Sequence, residues 1–220
     1  MTTSHWYRPH SFSIPHMAAD VVIVGGGFIG LSTAYWISEF RPDLKIILLD
    51  RSQVGAGASG RNAGFLTKGS ATFYKTLSKE WGHEKADHLK SFAEASLELL
   101  YQKILKSSPE IKFEKSSSLT LFQTEEAKSK WTESSFNPES FGFNWLDTKE
   151  IPEGLQGKFF GAYESGPEYK INPMQLLNTL RATLESRKIQ VIENLSAFEL
   201  TPDGVFTEYN RIKCNKVILA

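Results

Sequence analysis

The ten residues from Val21 to Gly30 constrain the fold of this chain more than any other segment, and they read Val-Val-Ile-Val-Gly-Gly-Gly-Phe-Ile-Gly. The four apolar residues predict a buried parallel strand, and the glycines have the G-x-G-x-x-G spacing of a dinucleotide-binding turn. Gly25 allows the tight bend, Gly27 leaves room for a pyrophosphate, and Gly30 lets the helix pack closely on the strand. The N-terminus of that helix offers N–H groups and a positive dipole end to a phosphate.

The residues after the turn complete a βαβ unit. Apolar residues at helical spacing follow Ile29, Pro42 ends the helical pattern, and a second apolar strand runs from Lys45 to Asp50. Asp50 comes twenty residues after Gly30, where an acidic side chain accepts hydrogen bonds from ribose hydroxyls. A glycine-rich turn in an ordinary α/β protein is the alternative. The candidate cofactor contacts here are Gly25, Gly27, Phe28, Ile29, Gly30, Asp50 and Arg51.

Charge and apolar runs exclude several other classes of protein. The 25 basic residues balance the 25 acidic ones, which disfavours nucleic acid as a partner. No apolar run approaches the roughly 20 residues needed to span a bilayer, and the N-terminus lacks the apolar core of a signal peptide. The single cysteine, Cys214, cannot form an intrachain disulfide. We therefore expect a cytoplasmic protein.

No metal site is expected. Five histidines occur in the chain, and His83 and His88 lie five residues apart, off a common helical face. Neither these two nor His5, His10 and His16 form a ligand pattern with Cys214.

Changes in composition and in the spacing of apolar residues along the chain predict four segments. Residues 1–18 form a lead-in, residues 19–110 the first part of a nucleotide-binding domain, residues 111–165 the start of an inserted domain, and residues 166–220 the second part of the first domain. A long helix is expected from about residue 82 to 107, with a buried face formed by Leu89, Phe92, Ala93, Leu100 and Ile104. The last residues, Lys216 to Ala220, read as a buried strand with nothing after it, which predicts that the sequence is a fragment.

The loop after the second strand favours one cofactor. Its residues 57 to 65 read Gly-Ala-Ser-Gly-Arg-Asn-Ala-Gly-Phe, and in this position they resemble the FAD-dependent D-amino-acid-oxidase-like family, which includes glycine, sarcosine and D-amino-acid oxidases or dehydrogenases. Small residues suit a long cofactor that backbone must approach closely. A flexible surface loop is the alternative. The candidate cofactor contacts in the loop are Ala58, Ser59 as a donor to the pyrophosphate, Arg61, Asn62, and Ala63, Gly64 and Phe65 beside the flavin ring.

The resemblance implies the fold class and the chemistry. The fold would be α/β, with an FAD-binding Rossmann-like βαβ domain of the glutathione-reductase type, an inserted α+β substrate domain, and a truncated C-terminus. The cofactor would be FAD, the backbone of Ala197 would contact the adenine, and the substrate would be a small amine or amino acid. Oxygen or an electron carrier would accept the electrons. The family's catalytic residues fall beyond residue 220, so the catalytic residues of this protein are unknown.

Two alternatives remain open at this point. One is an NAD(P)-dependent dehydrogenase with the same opening turn, and the other is a flavin-binding domain or fragment without independent activity. The His5-Trp-Tyr-Arg segment and the Arg-Asn pair of the loop resemble the gamma-glutamylputrescine oxidase branch of the family. Because the site would be incomplete, we expect the 220-residue chain alone to bind FAD weakly or not at all.

Overall fold

The computed structural model describes residues 17–132 and 136–220. Within them the α-helices are α1 (Phe28–Phe40), α2 (Ala71–Trp81), α3 (His83–Lys103), α4 (Glu125–Thr132) and α5 (Pro173–Ser186). The strands are β1 (Met17–Val24), β2 (Ile46–Leu49), β3 (Phe65–Leu66), β4 (Phe113–Leu121), β5 (Asn144–Leu146), β6 (Ala162–Ile171), β7 (Gln190–Ile192), β8 (Ala197–Thr201), β9 (Gly204–Thr207) and β10 (Arg211–Leu219). The chain divides into two compact units, residues 1–63 with 173–220, and residues 64–172.

The first unit contains a six-stranded sheet in the order β7-β2-β1-β10-β9-β8. Strands β7, β2, β1 and β10 are parallel, and β9 and β8 continue the sheet as an antiparallel hairpin. Every side chain of β2 is buried, as expected for a parallel strand covered on both faces. Val22 of β1 is paired with Ile47 and Val217, so the predicted glycine turn leaves the centre of the sheet.

Helices α1 and α5 of this unit each bury an apolar face, which the helical spacing after Ile29 predicts for α1. Leu31, Ala34 and Tyr35 of α1 are buried, as are four leucines of α5. Arg187, just after α5, donates to Ser38 Oγ at 2.8 Å and forms an ion pair of 2.8 Å with Glu39. The predicted strands around residues 21–24, 45–50 and 216–220 are confirmed.

The second unit contains an antiparallel sheet centred on β6. Strand β4 pairs with one edge of β6, and β3 and β5 pair with the other. Its aromatic core includes Tyr74 of α2, whose ring stacks on Phe141 with centroids 5.7 Å apart, and Phe122, which packs against Trp131. Helix α4 begins after Thr124, whose Oγ1 caps it by accepting a hydrogen bond of 3.0 Å from Ala127 N.

The long helix predicted from about residue 82 to 107 is confirmed as α3, but the sequence missed the helix before it and placed Phe92 wrongly on its buried face. An additional helix, α2, precedes it, and Gly82 separates α2 from α3 with a φ of +90° that other residues rarely adopt. Phe92 is 69% exposed, whereas Ile104 is buried and Leu89, Ala93 and Leu100 are half-buried. Because successive residues are about 100° apart around a helix, Phe92 lies off the face that contains Ala93.

The boundaries between the units also differ from the predicted ones. The division falls after residue 63 and after residue 172, whereas the sequence placed it after residues 110 and 165. Helices α2 and α3 belong to the second unit because Tyr74, Leu77 and Ala86 share its core. The assignment of this unit to substrate binding stays a prediction. Of the predicted lead-in, residues 1–16 lie outside the described residues.

Candidate cofactor site

The glycine turn joins β1 to α1 in a conformation that requires glycine. Gly25 has a φ of +119°, and its N–H donates to the carbonyl of Leu49 at 2.7 Å. A Cβ on Gly25 would collide with the carbonyl oxygen of Ala220, and one on Gly30 would overlap the carbonyl oxygen of Gly25. Gly25 therefore permits the bend and Gly30 permits the close approach of helix and turn, as the spacing predicts.

Asp50, directly after β2, holds the turn in place. Its Oδ2 accepts a hydrogen bond of 2.6 Å from the N–H of Gly26, and its Oδ1 accepts one of 2.7 Å from the N–H of Ser52. The sequence predicts contacts of this carboxylate with ribose hydroxyls. Each carboxylate oxygen has a second lone pair, so the two backbone bonds leave acceptor capacity for a ligand.

Ser59 connects the loop after β2 to the start of α1. The N–H of Phe28, in the first turn of α1, donates to Ser59 Oγ at 3.0 Å, and Gly27 supplies no side-chain cap of its own. A Cβ on Gly27 would lie 2.8 Å from the same hydroxyl oxygen. The serine hydroxyl accepts here, so its proton remains available for donation to an anion.

The loop itself is anchored by residues that the sequence pattern does not identify. Glu193 Oε1 accepts a hydrogen bond of 2.7 Å from the N–H of Val54 and lies 2.9 Å from Arg181 Nη1. Gly55 lies against α5, since a Cβ there would be 2.7 Å from Met174 Sδ. The contacts of Val54 with Glu193 and of Gly55 with Met174 join residues more than a hundred positions apart, so no local sequence pattern reveals them.

These elements surround a cavity of about 690 Å³ in the first unit. Ten of the predicted contacts line it: Gly25, Gly27, Phe28, Ile29, Asp50, Arg51, Ala58, Ser59, Arg61 and Ala197. The lining also includes residues that the sequence did not single out: Val24, Ser52, Gly55, Ala56, Gly57, Ser196 and Ala220. The structure thus brings the glycine turn, the acidic strand end, the small-residue loop and the start of β8 to one place.

Five predicted contacts do not line this cavity. Gly30 is buried behind the turn, and the amide of Asn62 donates to the carbonyl of Ser59 at 2.7 Å. Ala63 is exposed and is the last residue of the first of the two segments that form the first unit. Gly64 and Phe65 belong to the second unit, where Phe65 pairs with Lys170. Their contact with a cofactor stays a prediction.

No group of three metal-ligating side chains occurs in residues 17–132 or 136–220. His5, His10 and His16 lie outside those ranges. The helices in the same ranges include none long and apolar enough to cross a membrane.

The donor set of the cavity suits a dinucleotide diphosphate. Helix α1 begins at Phe28, so its first-turn N–H groups face the turn with the positive end of the helix dipole. Gly27 leaves the space beside Ser59 free of a side chain, and Arg51 and Arg61 add positive charge to the lining. A parallel sheet with this turn at its centre and an acidic residue after the second strand defines a dinucleotide-binding protein.

Comparison with known proteins specifies the class. The profile of the family described as "FAD dependent oxidoreductase" (DAO) matches residues 20–220. The chain therefore belongs to the FAD-dependent oxidoreductase family. This membership favours FAD over NAD(P) as the cofactor and confirms the fold class expected from the glycine turn and the loop of residues 57–65.

Curated relatives match parts of the chain. It is 33% identical over 98 residues to gamma-glutamylputrescine oxidoreductase of Escherichia coli, a match covering 44% of this chain and 22% of that protein. It is 36% identical over 81 residues to sarcosine oxidase subunit beta of Rhizobium meliloti, covering 34% of this chain and 18% of that protein.

Solved structures share the fold over nearly the whole chain. L-proline dehydrogenase from P. horikoshii matches with a TM-score of 0.71 and 15% identity, covering 94% of this chain and 53% of that one. Glycine oxidase from Bacillus cereus matches with a TM-score of 0.65 and 18% identity, covering 92% and 55%. The chain thus spans about half the length of these structures.

Proposed function

We propose that the cavity of the first unit binds FAD and that the protein uses it to oxidise an amine or amino acid at a C–N bond. The observation that carries the proposal is the joint placement of Asp50, Ser59 and the start of α1 around one cavity, in a chain whose family is FAD-dependent. The pyrophosphate would lie at the N-terminus of α1, and the ribose at Asp50. The backbone of Ala197, which lines the same cavity, would contact the adenine.

The protein residues supply binding and orientation. FAD, when bound, would accept a hydride from the carbon that carries the amine, and water would hydrolyse the resulting imine. Asp50 keeps the glycine turn closed through Gly26, and Ser59 fixes the loop to Phe28, so the cofactor meets a preformed surface. The family resemblance of the loop implies that its residues 63–65 would lie beside the flavin ring.

The names of the relatives support an amine or amino-acid substrate. These relatives are gamma-glutamylputrescine oxidoreductase, sarcosine oxidase subunit beta and glycine oxidase. Each of the three compounds in their names carries an amine. We favour the gamma-glutamylputrescine branch among them because that relative matches the longer segment, 98 against 81 residues. Oxygen or an electron carrier would reoxidise the flavin.

The test starts with purified protein supplied with FAD. The bound flavin is quantified after desalting, and the holoprotein is then mixed without oxygen with putrescine derivatives, sarcosine, glycine and D-amino acids. Loss of the oxidised-flavin absorbance with one of these amines supports the proposed reaction. Stable FAD binding with no bleaching by any of them supports a flavin-binding domain without independent activity. Binding of NAD(P) in place of FAD contradicts the cofactor assignment.

A further inference from the structure

The second unit contains a basic cavity that the proposed function does not use. Its volume is about 630 Å³, and it lies between α2, the first residue of α3 and the segment that follows residue 135. Lys75, Ser78 and Lys79 contribute from α2, His83 from α3, and Asn137 from the following segment. None of its lining residues lines the cofactor cavity of the first unit.

The two lysines of this cavity carry charge without an acidic partner in the described ranges 17–132 and 136–220, where neither forms an ion pair. Lys75 and Lys79 are four residues apart on one face of α2, where like charges repel each other. The ammonium of Lys75 lies 4.3 Å from the ring centroid of Trp131, and burial lowers its pKa. An anion in the cavity would offset both the repulsion between the two ammonium groups and the cost of burying the charge of Lys75.

The neutral groups of the cavity also provide hydrogen-bond donors. Ser78 Oγ is buried and has no hydrogen-bond partner among the residues that the structure describes. The Oδ1 of Asn137 accepts from the N–H of Glu139 at 3.1 Å, which turns the amide's donor group to other partners. His83 begins α3 after Gly82, which gives that helix no side-chain cap, so the positive end of the α3 dipole is at the cavity.

We propose that this cavity binds a small molecule carrying a phosphate or carboxylate group, held by Lys75 and Lys79 with Ser78 as a hydrogen-bond donor. Among the described residues no carboxylate side chain lines the cavity, so the oxyanion meets only positive and neutral groups there. Phe136 gives the site an apolar wall for the rest of the ligand. A buried serine hydroxyl without a partner gains a hydrogen bond when the oxyanion binds.

The test is a calorimetric titration of the full chain with inorganic phosphate, and in a second arm with benzoate, each against sodium chloride at the same ionic strength. We expect saturable binding of at least one of the two oxyanions and none of chloride. Binding of phosphate alone identifies a phosphate ligand, and binding of benzoate alone identifies a carboxylate. Equal heats for chloride and both oxyanions overturn the proposal.

The variants locate the site. The K75M/K79M double substitution should weaken binding by at least about tenfold, since it removes two charge-assisted contacts. The matched control K106M/K115M removes two exposed lysines outside the cavity, and it should bind within about twofold of the parent. Unchanged binding by a folded K75M/K79M protein, judged by circular dichroism, overturns the proposal. If the K75M/K79M protein does not fold, the S78A variant is titrated in its place. Binding by S78A as tight as that of the parent then overturns the proposal.

Discussion

The carboxylate of Asp50 accepts a hydrogen bond of 2.6 Å from the backbone N–H of Gly26 and so joins the end of β2 to the glycine turn after β1. The same side chain accepts from Ser52 N–H at 2.7 Å. One residue thus fixes both segments that line the cavity, and it still has lone pairs for a ribose. Asp50 thus contributes both to the stability of the turn and to its affinity for a nucleotide. Substitutions can distinguish these two contributions.

Replacement of Asp50 should affect both properties. Asp50→Ala leaves the N–H groups of Gly26 and Ser52 without their acceptor, at a cost of about 1–3 kcal/mol in the free energy of unfolding. Asp50→Asn keeps one acceptor oxygen and should cost less. Urea unfolding measures the stability, and fluorescence titration measures the affinity for FAD. Asp43→Ala, in an exposed pair with Arg41, is the control and should change neither; an Asp50→Ala protein as stable as the parent would contradict the role of the carboxylate.

Gly27→Ala should weaken FAD binding while the backbone tolerates it. Gly27 has a φ of −84°, which alanine adopts easily, but the new Cβ would lie 2.8 Å from Ser59 Oγ. We expect a loss of stability of about 1 kcal/mol from this crowding and an affinity for FAD lower by about tenfold or more. Differential scanning calorimetry and FAD titration measure the two effects.

Two further variants assign the cause of the Gly27→Ala effects. Adding Ser59→Ala removes the crowded oxygen, so the double variant should regain the stability lost to crowding. Part of this gain is offset because Phe28 N–H loses its acceptor. The affinity for FAD should not recover. Gly154→Ala, where a Cβ would meet no atom within 4 Å, is the matched control and should leave FAD binding unchanged. Equal FAD affinity for Gly27→Ala and the parent would show that no phosphate lies at the turn.

Glu193→Ala should loosen the loop after β2. The substitution removes the acceptor for Val54 N–H and one carboxylate partner of Arg181, and we expect a destabilisation of about 1–3 kcal/mol. Amide hydrogen exchange at Val54 should become faster than in the parent. Glu185 is the other carboxylate partner of Arg181, and its side chain is 48% exposed. Glu185→Ala should therefore cost less than about 1 kcal/mol. Unchanged exchange at Val54 would count against this anchor.

The stability of the second unit should fall in acid because of Glu94. Burial opposes ionisation of Glu94, but hydrogen bonds and ion pairs from Lys90 at 2.9 Å and Lys68 at 3.1 Å outweigh it and hold its pKa below the usual 4.5. Because the folded pKa is depressed, the stabilisation is complete above pH 4.5 and is lost as the pH falls through the folded pKa. The carboxylate is 38% exposed, so the effect is about 1 kcal/mol or less.

Unfolding free energies measured across this acidic range test the assignment. The Glu94→Gln protein should lack that part of the pH dependence and should be less stable than the parent near neutral pH. Glu208→Gln, at an exposed turn of the first unit, is the control and should follow the parent profile. Identical profiles for the parent and Glu94→Gln would contradict the role of the two lysines.

Local chemistry along the sequence is enough to specify several parts of the fold and of the cofactor site. The bend at Gly25 needs a positive φ, the strand of residues 46–49 is apolar at every position, and Asp50 follows it at the distance that places an acid beside the turn. Each of these features depends on backbone conformation or on the pattern of neighbouring residues. Their positions can therefore be predicted from the amino-acid sequence alone.

Contacts between distant residues depend instead on how the whole chain packs. The contact between Glu193 and Val54 spans 139 positions, and the unit to which α2 belongs is set by the packing of Tyr74 against Phe141. Phe92 illustrates the same limit, because an apolar residue in a helix is buried only where a neighbouring element covers that side. Periodicity predicts that a helix has an apolar face, but the contacts from the rest of the chain select the face that is buried.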